Sequence, residues 1–157
     1  MSANIGDVDG GPVSAEEIGR ISIFQDLGEN ERAEIAALCT KRSFRAEEVI
    51  ISTGGADHDV YFMLSGKAEV LNHTIIGNAL HLDALGTGAY FGELSALDGG
   101  PRSAEVQAIE DCVVAAMPPS EFRQVLADYP SVLVLVLHNL AQMIRAANLT
   151  VLHHATI

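Results

Sequence analysis

The sequence predicts a mainly β fold: an antiparallel, jelly-roll-like β-roll with short helices before it and one long helix after it. Three observations lead there. From about residue 40 to about residue 118, apolar residues alternate in short runs separated by glycine-bearing turns. On both sides of that stretch the apolar spacing becomes helical. The chain has 157 residues, 48% of them hydrophobic and 19% charged, which suits one globular domain with a real core and leaves no room for two.

Residues 1–20 form an acidic, glycine-rich lead expected to be flexible, with Met1 to Ser14 poorly ordered, so that a single domain spans 21–157. Ile21, Phe24 and Leu27 repeat at helical spacing and stop at Gly28. Glu29 to Leu38 reads as a helix with acidic residues in its first turn and Ile35 and Leu38 facing inward. Strands are expected at 42–44, 49–52, 60–64, 68–71, 80–85, 104–109 and 112–117. Gly54-Gly55, Ser65-Gly66, Gly77-Asn78, Gly86 and Gly88 supply the turns between them, and Asp59 to Val70 reads as a hairpin closed at Ser65-Gly66.

Past Pro119, Ser120 is placed to cap a helix carrying Phe122, Val125 and Leu126. Pro130 suits the first turn of a longer helix reaching about His153, so hinge and C-terminal helices fill 119–153. Its stripe is Leu133, Val136, Leu137, Leu140, Ile144, Ala147 and Val151, widened by Val132, Leu135 and Met143. More than one face of that helix wants burial, and the simplest consequence is a homodimer through it.

The charge of 9 − 21 = −12 repels polyanions, and the nine basic residues are scattered, so nucleic acid is not an expected partner. The apolar run Val132 to Leu137 is far shorter than a bilayer span, and the first residues lack the apolar core of a signal peptide. A cytoplasmic protein follows. Cys39 and Cys112 stand apart among apolar neighbours and read as small buried hydrophobes. His153-His154 lack a third ligand for a metal, and His58 and His138 read as surface or interface residues. Without a nucleophile beside a base, or a Walker-type loop, the chain is not expected to be an enzyme or to carry a cofactor.

The segment with chemistry is Phe91 to Val106. Arg102 is the only Lys or Arg between Lys67 and Arg123, an interval with eight acidic residues. Phe91-Gly92-Glu93-Leu94 turns from strand into a short helix, Gly99-Gly100-Pro101 brings the chain back, and Arg102 and Ser103 start the next strand. Backbone N–H groups, close-approach glycines, a forked cation and a hydroxyl make an anion cradle. Glu93 fits it by accepting a hydrogen bond from a sugar hydroxyl. The alternative from the residues alone is a Glu93–Arg102 ion pair closing a loop.

From Ile21 to about His153 the chain resembles the cyclic nucleotide-binding domain family, which includes bacterial catabolite activators and regulatory subunits of cAMP-dependent protein kinase. Ile23-Phe24-Gln25-Asp26-Leu27 is similar to the family's I-F-x-x-L opening, and Val60 to Gly66 to its Y-F-I-L-x-G segment. Phe91-Gly92-Glu93-Leu94 with Pro101-Arg102-Ser103-Ala104 resembles its phosphate-binding cassette. The resemblance implies a hinge near Pro119 and a long helix that lids the pocket. It implies Glu93 on the ribose 2′-hydroxyl, Arg102 on the cyclic phosphate, and contacts from Phe91, Gly92, Leu94, Ser103 and Ala104. Ser103, where a Thr often accompanies cGMP, leans toward cAMP as ligand. Glu105 departs from the family pattern and would weaken anion binding if it faced the pocket; strand alternation from Arg102 points it elsewhere. Ala147 and Asn148 fall where a family member contacts adenine, which makes Asn148 a candidate base contact. The function implied is a cyclic-nucleotide sensor signalling to a dimer or to an unidentified protein partner, with no DNA-reading module. Alternatives are a ligand-independent interaction domain and a regulatory fragment of a larger transporter, channel or enzyme.

Overall fold

The computed structural model describes residues 7–8, 11–73 and 79–155, with side chains described over 11–71 and 84–148. The Gly77-Asn78 turn and the side chains of Val151, His153 and His154 lie outside that set. In chain order the elements are β1 (Asp7–Val8), α1 (Ala15–Ile18), a 3-10 turn (Ser22–Phe24), α2 (Glu29–Ala36), β2 (Thr40–Phe44), β3 (Val49–Ile51), β4 (Val60–Ser65) and β5 (Ala68–His73). There follow β6 (Ala79–Leu85), β7 (Tyr90–Phe91), α3 (Glu93–Asp98), β8 (Glu105–Ala108), β9 (Cys112–Met117), α4 (Pro119–Asp128) and α5 (Pro130–Ala155).

The strands form two antiparallel sheets, in the orders β1-β2-β9-β4-β7 and β3-β8-β5-β6. Period-two alternation sorts β4 and β9 between two cores. Tyr61, Met63, Cys112, Val114 and Ala116 point into the space between the sheets. Val60, Phe62, Leu64, Ala115 and Met117 point the other way, under the helices with Phe24, Ile35 and Phe122. Both faces of the central strands are therefore covered, and the β-roll with flanking helices expected from the sequence is the fold.

Four local expectations change. The folded body begins before residue 21: β1 pairs with β2, and Val13 and Ile18 are buried in the helical core. Ser14 and Glu17 fix α1 by a reciprocal capping box, a signal masked by the polar composition around it. Next, β4 and β5 are not a hairpin. β4 pairs with β7 and β9, whereas β5 pairs with β6 and β8, so Ser65-Gly66-Lys67 carries the chain from one sheet to the other. Gly66 makes that corner at φ 92°, where a Cβ would lie 2.3 Å from the Asp111 carbonyl oxygen. Third, α4 begins at Pro119 with no side-chain cap, and Ser120 sits inside its first turn.

The fourth concerns α5. Val132 and Val136 are buried, Leu133, Leu135 and Leu140 are half-buried, and Leu137 and Ile144 are 54% and 61% exposed. Every described residue from Ala141 to Asn148 is exposed. The outward stripe is Val134, Leu137, Ala141, Ile144 and Asn148, on roughly the opposite side from Asn139, Gln142, Met143 and Ala146 at 100° per residue. By length and composition alone, residues 130–148 are apolar enough to cross a bilayer, with mean hydropathy 1.2. The continuous run of six apolar residues understates this, because apolar residues resume beyond His138 and Asn139. Its inner face, however, is packed on the body at Val132 and Val136. At the hinge, the Tyr129 hydroxyl donates to Glu34 Oε2 of α2 at 2.6 Å.

Candidate functional site

A cavity of about 660 Å³ opens between the β-roll and α5. Phe91, Gly92, Glu93, Leu94, Arg102, Ser103 and Ala104, all read as site residues from the sequence, line it. β7 delivers Phe91, whose ring stacks on Tyr61 at 5.4 Å. Gly92 then breaks the strand at φ 85° and starts α3. A Cβ there would stand 2.8 Å from both Arg102 Nη1 and the Asp59 carbonyl oxygen, so the close approach of loop and arginine requires glycine.

Arg102 is buried, 4% exposed, and its fork is held on three sides. Nη1 donates to the Gly92 carbonyl at 2.9 Å, while Nη2 donates to the Asp59 carbonyl at 2.7 Å and to Asp57 Oδ2 at 3.1 Å. Its carboxylate partner is therefore Asp57 and not Glu93. Tyr61 donates its hydroxyl to the same Asp57 oxygen at 2.8 Å, fixing that carboxylate from the core side. Among the described residues, the buried Arg102 Nε has no hydrogen-bond partner. A buried unpaired donor on a cation is costly, and an acceptor supplied by an anion would satisfy it.

Burial pushes the Glu93 carboxyl above the usual glutamate range, opposed by hydrogen bonds from the backbone N–H groups of Glu93 and Leu94 and by the Arg102 charge. It is half-buried at the cavity wall and can accept from a hydroxyl. Ser103 and Ala104 line the cavity beside Arg102, whereas Glu105 is not part of the lining. Val106 is, which is the strand alternation expected for Glu105.

Asn148 is not in the lining; it is exposed on the outward stripe of α5. The face of α5 turned to the cavity carries Asn139, Gln142, Met143 and Ala146 instead. Asn139 Nδ2 donates to the Tyr90 hydroxyl at 2.9 Å, joining the helix to β7. Position carried over along a helix does not fix rotation about its axis, and only packing on the roll reveals which residues turn inward. Sequence reading also passed over Asp57 and Tyr61, and treated His58 as a surface residue. His58 Nδ1 lies 2.5 Å from Ser95 Oγ, linking the β3–β4 loop to α3. The run Asp57-His58-Asp59 thus touches Arg102, Ser95 and again Arg102, and its density of polar residues before a hydrophobic strand is the one signal that could have marked it.

A cation cradled at a helix start, a carboxylate at the wall and an apolar space beyond fit an anionic sugar phosphate. The family model for the cyclic nucleotide-binding domain matches residues 41–129, more than half the chain. The chain belongs to the cyclic nucleotide-binding domain family. The CRP-like cAMP-activated global transcriptional regulator of Mycobacterium tuberculosis is 30% identical over 137 residues, covering 85% of this chain and 59% of that regulator. The cAMP-dependent protein kinase regulatory subunit of Candida albicans is 28% identical over 113 residues, covering 72% of this chain and 24% of the subunit. The crystal structure of Thermus thermophilus catabolite activator protein matches with a TM-score of 0.76 at 28% identity, over 82% of this chain and 61% of that one. This cyclic nucleotide-binding domain thus spans from 24% to 59% of the length of the two curated relatives.

Proposed function

We propose that the chain is a non-enzymatic, cytoplasmic regulatory module that binds a cyclic nucleotide, cAMP in preference to cGMP, without a further cofactor. The single observation that carries the reading is the buried Arg102 Nε, unpartnered among the described residues, in a residue lining the cavity. Arg102 takes the cyclic phosphate, Glu93 the ribose 2′-hydroxyl, and Ser103, standing where a Thr often accompanies cGMP in the family, leaves the preference with cAMP. Names of relatives that bind or respond to cAMP point the same way.

The output passes through α5 to a second copy of the chain or to a protein partner. The spacing Val134, Leu137, Ala141, Ile144, Asn148 alternates three and four residues, which is the spacing of a two-helix seam, and this stripe is exposed. A pairing of copies would cover it. The charge of −12 argues against nucleic acid as a direct partner. A second reading, in which the module regulates a larger protein, is favoured by the partial coverage of the relatives.

Titration calorimetry of the full chain with cAMP and with cGMP tests the proposal. Binding well below millimolar, tighter for cAMP, is expected; failure of both nucleotides to bind below about 1 mM, a binding free energy of about −4 kcal/mol, refutes it.

A further inference from the structure

Just before β4, Asp57 and Asp59 hold Arg102, while His58 between them holds a different part of the cavity wall. His58 Nδ1 lies 2.5 Å from Ser95 Oγ. Ser95 is the third residue of α3, 5% exposed, and lines the cavity. The Gly92 carbonyl, where α3 begins, accepts from Arg102 Nη1, so the first turn of α3 and the guanidinium border the same stretch of wall. His58 is outside the lining, and stands behind Ser95 as Asp57 stands behind Arg102.

A serine hydroxyl has one proton to give. If the imidazole accepts it, Ser95 turns only lone pairs to the cavity. If the imidazole donates, Ser95 Oγ is the acceptor and its own O–H is free for a ligand. A neutral imidazole does either, according to its tautomer, whereas a protonated one only donates. Protonation of His58 therefore fixes the polarity of a hydroxyl in the cavity wall. An anion needs the donor setting, because lone pairs aimed at it repel.

We propose that His58 is a proton-linked positioning residue, which turns the Ser95 hydroxyl toward a bound anion and takes up a proton as that anion binds. The inference rests on the reading of the ligand as a cyclic nucleotide. By linkage, a ligand that prefers the protonated form binds more tightly as pH falls through the range of an imidazole. The charged and titratable groups around His58 are Asp57 and Asp59 in its own loop, Tyr61 on β4, and Glu93 and Asp98 on α3. Beyond them stand Arg102, bound to Asp57, and Arg123 of α4, which donates to the Ala96 carbonyl of α3 at 2.7 Å. Glu93 acts with the opposite sign. It must be ionised to accept from the sugar, so it sheds a proton on binding, whereas His58 gains one.

The test is calorimetry of the full chain with cAMP in buffers of different ionisation enthalpy, which counts the protons exchanged on binding. His58→Asn places an amide near the position of Nδ1, keeping a partner for Ser95 while removing the titration. Between about pH 6 and about pH 8 the unmodified chain is expected to take up more protons than His58→Asn. Its affinity relative to that variant should rise about twofold to tenfold as pH falls over this range, the worth of one hydrogen bond. Equal proton exchange in the two proteins overturns the inference, since a purely structural contact would move only the melting temperature. In a Ser95→Ala background, His58→Asn should have no further effect on proton exchange. An undiminished effect there assigns the linkage to the charge of His58 alone and overturns the role of Ser95. Proton NMR reads the linkage in the unmodified chain, with the His58 ring resonances identified by their loss in His58→Asn. Their titration midpoint should move up when cAMP is added, and a midpoint that stays in place also overturns the inference. Absence of binding by both cAMP and cGMP at every pH refutes the cyclic-nucleotide reading itself, and this inference with it.

Discussion

Replacing Arg102 with alanine is the perturbation that the geometry prices most directly. The side chain is 3% exposed and lines the cavity, so a phosphate bound to it would meet a largely desolvated cation. A hydrogen bond to a charged group contributes about 1.5–3 kcal/mol, which at about 1.4 kcal/mol per decade is roughly a tenfold to hundredfold loss of affinity for each bond. Two further effects act in the same direction. Asp57 loses its cation and leaves a negative charge beside the anion's position. The carbonyls of Gly92 and Asp59 lose the donor that orients the loop. The expected fall for cAMP is therefore at least about a hundredfold. Folding also suffers, because leaving a buried acceptor unsatisfied costs about 1–3 kcal/mol. The ion pair itself adds little to that, since the Asp57 side chain is 44% exposed and well solvated. Calorimetry must be paired with circular dichroism at a temperature where the variant is folded. Arg102→Lys should fall between, keeping the charge and losing the fork. A folded Arg102→Ala protein that binds cAMP within about twofold of the parent would remove Arg102 from the site and refute the reasoning.

Acid should weaken binding earlier than an ordinary glutamate would. The Glu93 carboxyl is raised by burial, so its neutral form stabilises the fold fully below the ordinary value of 4.5 and that contribution is lost as pH rises through the raised value. The ribose hydroxyl needs the ionised acceptor; affinity for cAMP should drop as pH falls from neutral through that raised value, and Glu93→Gln should flatten the profile in calorimetry. Leu137→Glu with Ile144→Glu should yield monomers by sedimentation equilibrium with little change in melting temperature, because both sites are more than half exposed. A dimer that survives both charges refutes the α5 seam. Gly66→Ala should destabilise by several kcal/mol, since the new Cβ would meet the Asp111 carbonyl at 2.3 Å at a φ of 92°; a melting temperature within about 2 °C of the parent would contradict that corner.

The roll was legible because its strands are short apolar runs between glycine-bearing turns, and in β4 and β9 successive residues are divided between two buried cores, so Tyr61 and Phe62 are both covered. The pairing of β4 was not legible. Ser65-Gly66 looks the same whether the chain reverses within one sheet or crosses to another, and the deciding contacts are with Asp111 and Cys112, some 45 residues on. The same limit governs the site. Arg102 stood out because cations are scarce around it, and Glu93 because a carboxylate is odd beside an anion cradle. Asp57 is 45 residues from Arg102 and had no such contrast. On α5, apolar residues surround most of the axis, so Leu137 and Ile144 could not be told from Val132 and Val136 until the roll chose a face. Asn139 and Gln142 became visible as cavity residues only by that choice.

The two faces of α5 bear on how a ligand could be heard. A ligand shifts a conformational equilibrium only by its difference in affinity for the two states. Through Leu140 the helix is already fastened, by buried Val132 and Val136 and by the Asn139–Tyr90 bond. A base touching only that segment would find the same contacts in either state. From Ala141 onward no described residue is buried. Gln142 and Met143 lie at the start of that exposed stretch, and Ile144 of the outward stripe is the next residue. Contacts made by Gln142 and Met143 would therefore favour the state in which the helix beyond Leu140 lies against the roll, and would fix the direction of Ile144 with it. Signal strength should then scale with what Gln142 and Met143 contribute, while Arg102 and Glu93 set affinity in both states. An Arg102 variant saturated with cAMP should give the full change in self-association, and a saturated Gln142 variant a reduced one.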